Sequence, residues 1–400
     1  MGSYQEEIID PGDRVSKLAH EVSVASFDNC PAVQVVPYEP GNFRGPVGFV
    51  WQSHILEEMK RGVMTEELQN DGAGGKPQFF TLVGTEEVFE ELGWEIITMT
   101  ADDLARAGRF PAVMTNEVQF QQVNEENFPL ARSMMEGYGR ALRQAGLVNI
   151  TGEVAIMKHS ITAFCDCHHP AQLILTWSGN CTGLYHRDLA VDNSCIRPGM
   201  YVVGLGERGY RCNGGTFFTK LLFARYGPSL GNFWANEEAK EFARKLTTPS
   251  LFYGRTLNRL QGWNADGTAG EPLARIAGTA HITGGGLWGK LGEILPEDVS
   301  VSLTDMISPP EVLLEVQRMS QEMSPRDPLT DRDAYSVFHG GCGMVLVVPS
   351  REDADTVIQE CARDGITAEV IGETTPREVL GAKMQIVSRF LEGGVLRSED

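Results

Sequence analysis

The sequence predicts a two-domain α+β chain built in α/β-like layers, and three observations carry that expectation. Its 400 residues are long for one core and comfortable for two. Beyond about residue 75, apolar β-branched runs alternate with stretches of helical periodicity. The turn-forming Ile196-Arg197-Pro198-Gly199 then places a boundary near residue 195, dividing the chain into 1–195 and 196–400.

The amino-terminal part reads as irregular, with Pro31, Pro37, Pro40, Gly41, Gly45 and Pro46, followed by a flexible loop, NDGAGGKP, from Asn70 to Pro77. The apolar run Glu95 to Thr100 reads as a strand with Asp102 and Asp103 at its end. FPLARSMMEGYGRALRQAG spaces Leu130, Met134, Tyr138 and Leu142 four residues apart, which predicts a helix that Gly146 terminates. LVNITGEVAIM and YVVGLG (Tyr201 to Gly206) read as strands. They are β-branched and bounded by turn formers.

The second lobe continues with a glycine loop and helices over Thr216–Tyr226, Asn236–Leu246 with Asn236 as N-cap, from Ser250, and over Leu287–Leu295. GMVLVVP reads as a buried strand. It leads into Ser350-Arg-Glu-Asp353, a capping-box-like start to an amphipathic helix carrying Ala354, Val357, Ile358 and Cys361. Asp364-Gly365 ends that helix, and a strand follows from Thr367 to Ile371.

Charge narrows the function. With 34 basic against 54 acidic residues the formal net charge is −20, which repels a polyanion and argues against nucleic-acid binding. No apolar run reaches the ~18 residues of a membrane span. MGSYQEEIID lacks the cationic and apolar regions of a secretory signal, so a cytoplasmic location is expected, and Glu6 stands where a myristoylation site wants Ser or Thr. The eight cysteines are scattered and read as reduced. Cys165-Asp166-Cys167-His168-His169 lacks the usual C-x-x-C spacing and a second half, so a structural role is expected over zinc.

One stretch points to a ligand. Ala280-His281-Ile282-Thr283-Gly284-Gly285-Gly286 sets an imidazole and a hydroxyl beside three backbone N–H groups that no Cβ shields, just before a predicted helix. Amides of that kind converge on phosphate oxygens as a nest, and a helix N-terminus adds partial positive charge.

Four ordered motifs extend this reading. GLGERGYRCNGGTFFTKLL (Gly204 to Leu222) is similar to S-S-G-x-H-S-N-G followed by a helix, TPSLFYGRTL to E-P-T-x-x-Y, AHITGGGLWGKLGEILP to A-H-x-T-G-G-G-F-x-x-N-x-x-R-x-L-P, and FHGGCGMVLVVP to F-N-x-G-x-G-M. In these the chain resembles the aminoimidazole ribonucleotide synthetase (phosphoribosylformylglycinamidine cyclo-ligase) family. Fainter likenesses run through Tyr4–Leu18, through ADDL to N-D-L, and through ITGEVAIM to G-G-E-T-A-E-M.

The resemblance implies a fold, an activity and a set of roles. Two synthetase-like domains are expected, the amino-terminal sheets pairing into a barrel in a homodimer, the carboxy-terminal sheet flanked by helices, and the site between lobes. The activity implied is ATP-driven ring closure, in which Mg2+ and ATP phosphorylate the amide oxygen of formylglycinamidine ribonucleotide and an internal nitrogen displaces phosphate. Asp102, Asp103 and Glu153 are then candidate metal ligands; the alternatives are an N-cap role for the aspartates and a structural pair for Glu153. His281 and Asn213 are candidate catalytic groups, and Gly214, Arg211, Thr283, Gly284, Gly285, Gly286 and His339 candidate ATP- or substrate-binding groups.

The chain also departs from the family. Its acidic motif G-T-D-G-V-G-T-K, which helps bind Mg-ATP, is expected at FVWQSHILEE (Phe49 to Glu58), where the aspartate, glycines and lysine are missing. Cation binding would then fall to Glu57, Glu58, Asp102, Asp103 and Glu153. Arg211 replaces the histidine of S-S-G-x-H-S-N-G, and His339 the asparagine of F-N-x-G. These departures keep open two other readings: a superfamily enzyme phosphorylating a different oxygen, and a non-catalytic ligand-binding or scaffold protein.

Overall fold

A computed structural model describes residues 10–36, 47–162 and 169–398. Met64–Gly72, Leu175–His186, Arg109–Phe120 and Val148–Ile156 form a four-stranded sheet in that order, the last pair parallel and the others antiparallel. Side chains alternate between its faces. Met114, Val118, Trp177 and Cys181 lie buried beneath the helices Gly93–Ala105 and Phe128–Ala145, while Leu68, Thr176, Glu117 and Glu153 point outward and are exposed. The second helix carries Leu130, Met134, Tyr138 and Leu142 inward and stops at Gly146 in the left-handed conformation, as its spacing predicts.

A second sheet holds seven strands in the order Val395–Arg397, Met384–Val387, Val299–Leu303, Ala368–Pro376, Tyr201–Gly206, Cys342–Val348 and Gly278–His281. Cys342–Val348 is buried throughout because both faces are covered. Met344, Leu346 and Val348 join Val203 and Leu205 under the helices Gly254–Gln261 and Arg351–Arg363, whereas Val345 and Val347 face Phe218, Leu222 and Val316. Ser350 caps its helix by accepting from the Asp353 N–H, and Asn236 caps Glu237–Leu246 in the same way from Ala239. These two domains of mixed helix and sheet carry the architecture that the sequence predicts. Among the described residues the four-stranded sheet is open and closes no barrel.

Four local expectations need correction. The first 75 residues are largely regular where described. Asp10 caps a helix over Pro11–Ala25, Val33–Val36 pairs with Gly48–Trp51, and Ser53–Lys60 is helical. Prolines here open elements as readily as they forbid them. Glu95–Thr100 belongs to the helix Gly93–Ala105, not a strand; the helix is buried on nearly every side, so it shows an apolar run with little polar periodicity. NDGAGGKP is no loose insertion. Asn70–Gly72 ends a strand paired with Ser178–Asn180, and Pro77 opens the helix Pro77–Val83. The helix expected from Ser250 begins at Gly254. Cys165, Cys167 and His168 lie outside the described residues; the His169 ring packs on Trp234.

Candidate functional site between the lobes

Three glycine-bearing loops meet where the sheets adjoin. The loop after Met64–Gly72 reaches the loop before the helix Gly215–Tyr226: a Cβ on Gly74 would stand 3.1 Å from the Cys212 carbonyl, and one on Gly215 3.6 Å from the Gly75 Cα. Gly284 of the third loop faces the Asn213 side chain, its hypothetical Cβ 3.5 Å from Oδ1. Only at Gly74, held at φ 55°, is the approach tight enough to favour glycine; at Gly215 and Gly284 a Cβ would make ordinary contact. Asn213 Nδ2 is buried and makes no hydrogen bond among the described residues. Gly284 and Gly285 are exposed, Gly285 in the left-handed region at φ 94°. Gly286 is different. It is buried, and a Cβ there would meet the Tyr335 carbonyl at 2.3 Å, so this glycine serves close packing rather than a ligand.

Charged groups cross the same junction as one connected chain. Arg211 is buried and held at φ 61°; its Nη1 donates to Glu207 Oε2 at 2.6 Å and to the Leu251 carbonyl at 3.2 Å, and its Nη2 to His281 Nε2 at 2.7 Å. His281 Nδ1 in turn donates to Asp103 Oδ1 at 2.8 Å. That arrangement fixes a neutral imidazole with its proton on Nδ1. Burial, reinforced by the Arg211 charge, pushes the His281 pKa down to about 4. Both ring nitrogens are engaged, so His281 orients Asp103 and is not free to shuttle a proton as expected from its isolated pKa.

The two aspartates have separate fates. Burial raises Asp103, but the hydrogen bond from His281 and the charge of Arg106 outweigh it and hold the carboxyl at about 2. Gln69 Nε2 also donates to its Oδ2 at 2.9 Å. Asp103 lines a small polar cleft of about 70 Å3 with Arg106, His281, Thr283, Lys290 and Glu293. Asp102 is wholly buried, accepts from the Tyr253 N–H at 2.9 Å and stands 3.5 Å from Arg211. Burial pushes its pKa up to about 8, because Glu207 already neutralises Arg211 at closer range.

The predicted metal set therefore is not assembled. Asp102 is sealed against Arg211, and Glu153 stands exposed opposite Glu117 on the outer face of the sheet, away from Asp103. Among the described residues no three His, Cys, Asp or Glu side chains converge as a cation cage. Glu57 and Glu58 sit on a surface helix, paired with Lys60 and Arg61. His339 is also internal. Its Nε2 donates to the Gly209 carbonyl at 2.8 Å and its Nδ1 accepts from the Gly341 N–H at 3.1 Å, which fastens two loops together and leaves nothing for a ligand.

Sequence reasoning missed Asp71. It lies two residues beyond Gln69 on the same strand, hence on the same face, and burial followed by the nearby Asp103 charge raises its pKa. Two carboxylates that repel one another beside a glycine loop are the pair that would hold a divalent cation such as Mg2+. The signal was present. Asp71-Gly72-Ala73-Gly74-Gly75-Lys76 keeps the aspartate, two glycines and the lysine of D-G-V-G-T-K, and Phe49–Glu58, a hairpin strand and a surface helix, is not its counterpart. Lys76, however, faces inward: Nζ donates to Glu95 Oε1 at 2.7 Å and to the Thr248 carbonyl at 2.6 Å, both charged groups fully buried.

Comparisons with known proteins bear on this geometry. Residues 65–167 match the model of the AIR synthase related protein, N-terminal domain, and residues 268–385 that of the C-terminal domain. The first match begins beyond Phe49–Glu58 and includes Asp71–Lys76. The chain is 26% identical over 306 residues to the phosphoribosylformylglycinamidine cyclo-ligase of Magnetococcus marinus, covering 76% of each. It is 27% identical over 312 residues to that of Citrifermentans bemidjiense, covering 76% of this chain and 78% of the relative. Among solved structures, thiamine-monophosphate kinase from Stenotrophomonas maltophilia aligns at TM-score 0.53 and 15% identity over 91% of this chain and 92% of that one. The hydrogenase maturation protein HypE in complex with ATP aligns at 0.51 and 15% over 96% and 95%.

Proposed function

The chain belongs to the AIR synthase related protein family, and from that premise we propose that it is an ATP-dependent cyclo-ligase that phosphorylates the amide oxygen of formylglycinamidine ribonucleotide and closes it to aminoimidazole ribonucleotide. The single observation that carries the reading is the convergence of exposed glycine amides and the unpartnered Asn213 Nδ2 on one junction that also holds the Asp71–Asp103 pair. Relatives named as this cyclo-ligase and a structural neighbour complexed with ATP support it.

Roles follow from the residues. Asp71 and Asp103 would hold Mg2+, which neutralises phosphate charge when bound. His281 fixes the Asp103 carboxylate, and Arg211 fixes His281, so the carboxylate stays ionised and oriented. The amides around Gly74, Gly75, Gly284 and Gly285 would cradle phosphate oxygens, and Asn213 would donate to substrate or to the transferred group. Gly214, in the left-handed conformation at φ 89° and packed against Phe338, caps the helix that follows, whose N-terminus would add partial positive charge to the site. The exposed outer face of the four-stranded sheet is the surface through which two copies would pair. Nothing in this scheme calls for a membrane or a nucleic acid.

One observation favours a second reading. Arg211 stands where the family carries histidine and is sunk in ion pairs, so the loop offers the reacting atoms no imidazole. A superfamily enzyme phosphorylating a different oxygen acceptor would tolerate that change. ADP release by the purified chain with Mg-ATP, with and without formylglycinamidine ribonucleotide, separates the cases. Substrate-dependent ADP release with ring closure supports the cyclo-ligase, saturable Mg-ATP binding without such turnover supports the second reading, and absence of nucleotide binding refutes both in favour of a scaffold.

A further inference from the structure

We infer that a second small-molecule site lies away from the glycine loops, where the end of the helix Phe128–Ala145 meets the helix Gly254–Gln261, and that it takes a nucleoside monophosphate. The cavity there measures about 380 Å3, within the ~300–1,000 Å3 of small-molecule pockets. In a chain of net charge −20, three arginines line it, Arg143, Arg255 and Arg259, and among the described residues no aspartate or glutamate does. Such a local excess of positive charge selects an anion.

The arginines are not equally committed. Arg259 shares its charge with Glu360 at 3.2 Å and Asp364 at 2.8 Å. Arg255 donates to the Gln144 carbonyl at 2.8 Å, which caps the first helix, and makes no direct ion pair among the described residues, Asp364 interacting with its charge from farther away. Arg143 makes no ion pair among the described residues. Two exposed guanidiniums on facing helices are the geometry that forks onto phosphate oxygens.

The rest of the lining fits a planar base. Phe110 and Trp263 form an aromatic floor, their centroids 5.6 Å apart and their planes 41° from each other. Beside them Asn258 Oδ1 is buried with no hydrogen-bond donor, an acceptor suited to an exocyclic amino group of a purine. Occupancy would reach the first site along a short path. The helix bearing Arg255, Asn258 and Arg259 begins beside Tyr253, whose N–H holds Asp102, the neighbour of Asp103.

Calorimetric titration of the full chain with adenosine monophosphate in magnesium-free buffer tests the assignment independently of the proposed reaction. One saturable site is expected, at least about tenfold weaker in Arg143→Glu/Arg255→Glu, within about twofold of wild type in Asn213→Ala, and preferred at least about tenfold over inorganic phosphate. Absence of saturation, indifference to the arginine changes, loss in Asn213→Ala, or equal affinity for inorganic phosphate each overturns it. Should the charge reversal melt early by circular dichroism, Arg143→Gln/Arg255→Gln gives the same readout without reversed charge.

Discussion

Replacing Lys76 by Met tests whether the lysine of the glycine loop acts as a structural group, paired with Glu95 within its own lobe and donating across to the Thr248 carbonyl of the other. Lys76 Nζ sits 2.7 Å from Glu95 Oε1, both side chains fully buried. At an effective dielectric of ~20 that contact is worth roughly 6 kcal/mol gross, most of it offset by desolvation. Removing the cation alone strands the carboxylate, and losses of about 3–5 kcal/mol are expected for such a deletion. Glu95 keeps the Ser250 N–H at 2.9 Å, the Ser250 hydroxyl at 2.6 Å and the Cys212 thiol at 3.1 Å, which places the cost toward the lower end. Lys76→Met/Glu95→Gln should recover most of it.

The same pair fixes the sign of the pH dependence. Burial raises the Glu95 pKa, but Lys76 and Ser250 outweigh burial and lower it overall. Its stabilisation in the wild type is therefore present above the unfolded value and lost as pH falls through the folded one. In Lys76→Met burial dominates and the shift reverses, so the variant loses stability as pH rises above about 4.3. Urea unfolding followed by tryptophan fluorescence at pH 5 and pH 8 should show a deficit that grows with pH. A deficit below about 1 kcal/mol, or one equal at both values, refutes the reasoning.

Three further outcomes are expected. Asn213→Ala removes a donor that no group among the described residues uses, so the melting temperature should stay put while kcat/KM falls about tenfold or more, the worth of one hydrogen bond to a charged group; unchanged kinetics would remove Asn213 from the site. Asp103→Asn should weaken Mg-ATP binding at least about tenfold in calorimetry, with Asp71→Asn acting in the same direction; full nucleotide affinity in both would dismiss the carboxylate pair. Gly286→Ala should lower the melting temperature, since its Cβ would overlap the Tyr335 carbonyl, while Gly284→Ala, whose nearest neighbour is 3.5 Å away, should fold normally and lose nucleotide affinity. Equal melting temperatures for the two variants would erase that division of labour.

Local chemistry was legible in the chain by itself. Tyr201–Gly206, Phe128–Ala145 with its Gly146 stop, the Asn236 and Ser350 caps and the glycine run at 284–286 each follow from interactions within a few residues, and the motif likenesses identified the family. Tertiary structure decided whatever depends on the neighbour a side chain meets. Glu95–Thr100 reads as a strand until packing surrounds it on all sides. Asp102 and Asp103 are adjacent in sequence, yet one is sealed against Arg211 and the other opens to a cleft, because successive helical residues point about 100° apart. His281 and His339 look like free imidazoles in sequence and prove fully engaged in space. Asp71 carries its meaning only where a strand end meets a helix from the same lobe, since a charge is defined as ligand, partner or burden by what lies within a few ångströms of it.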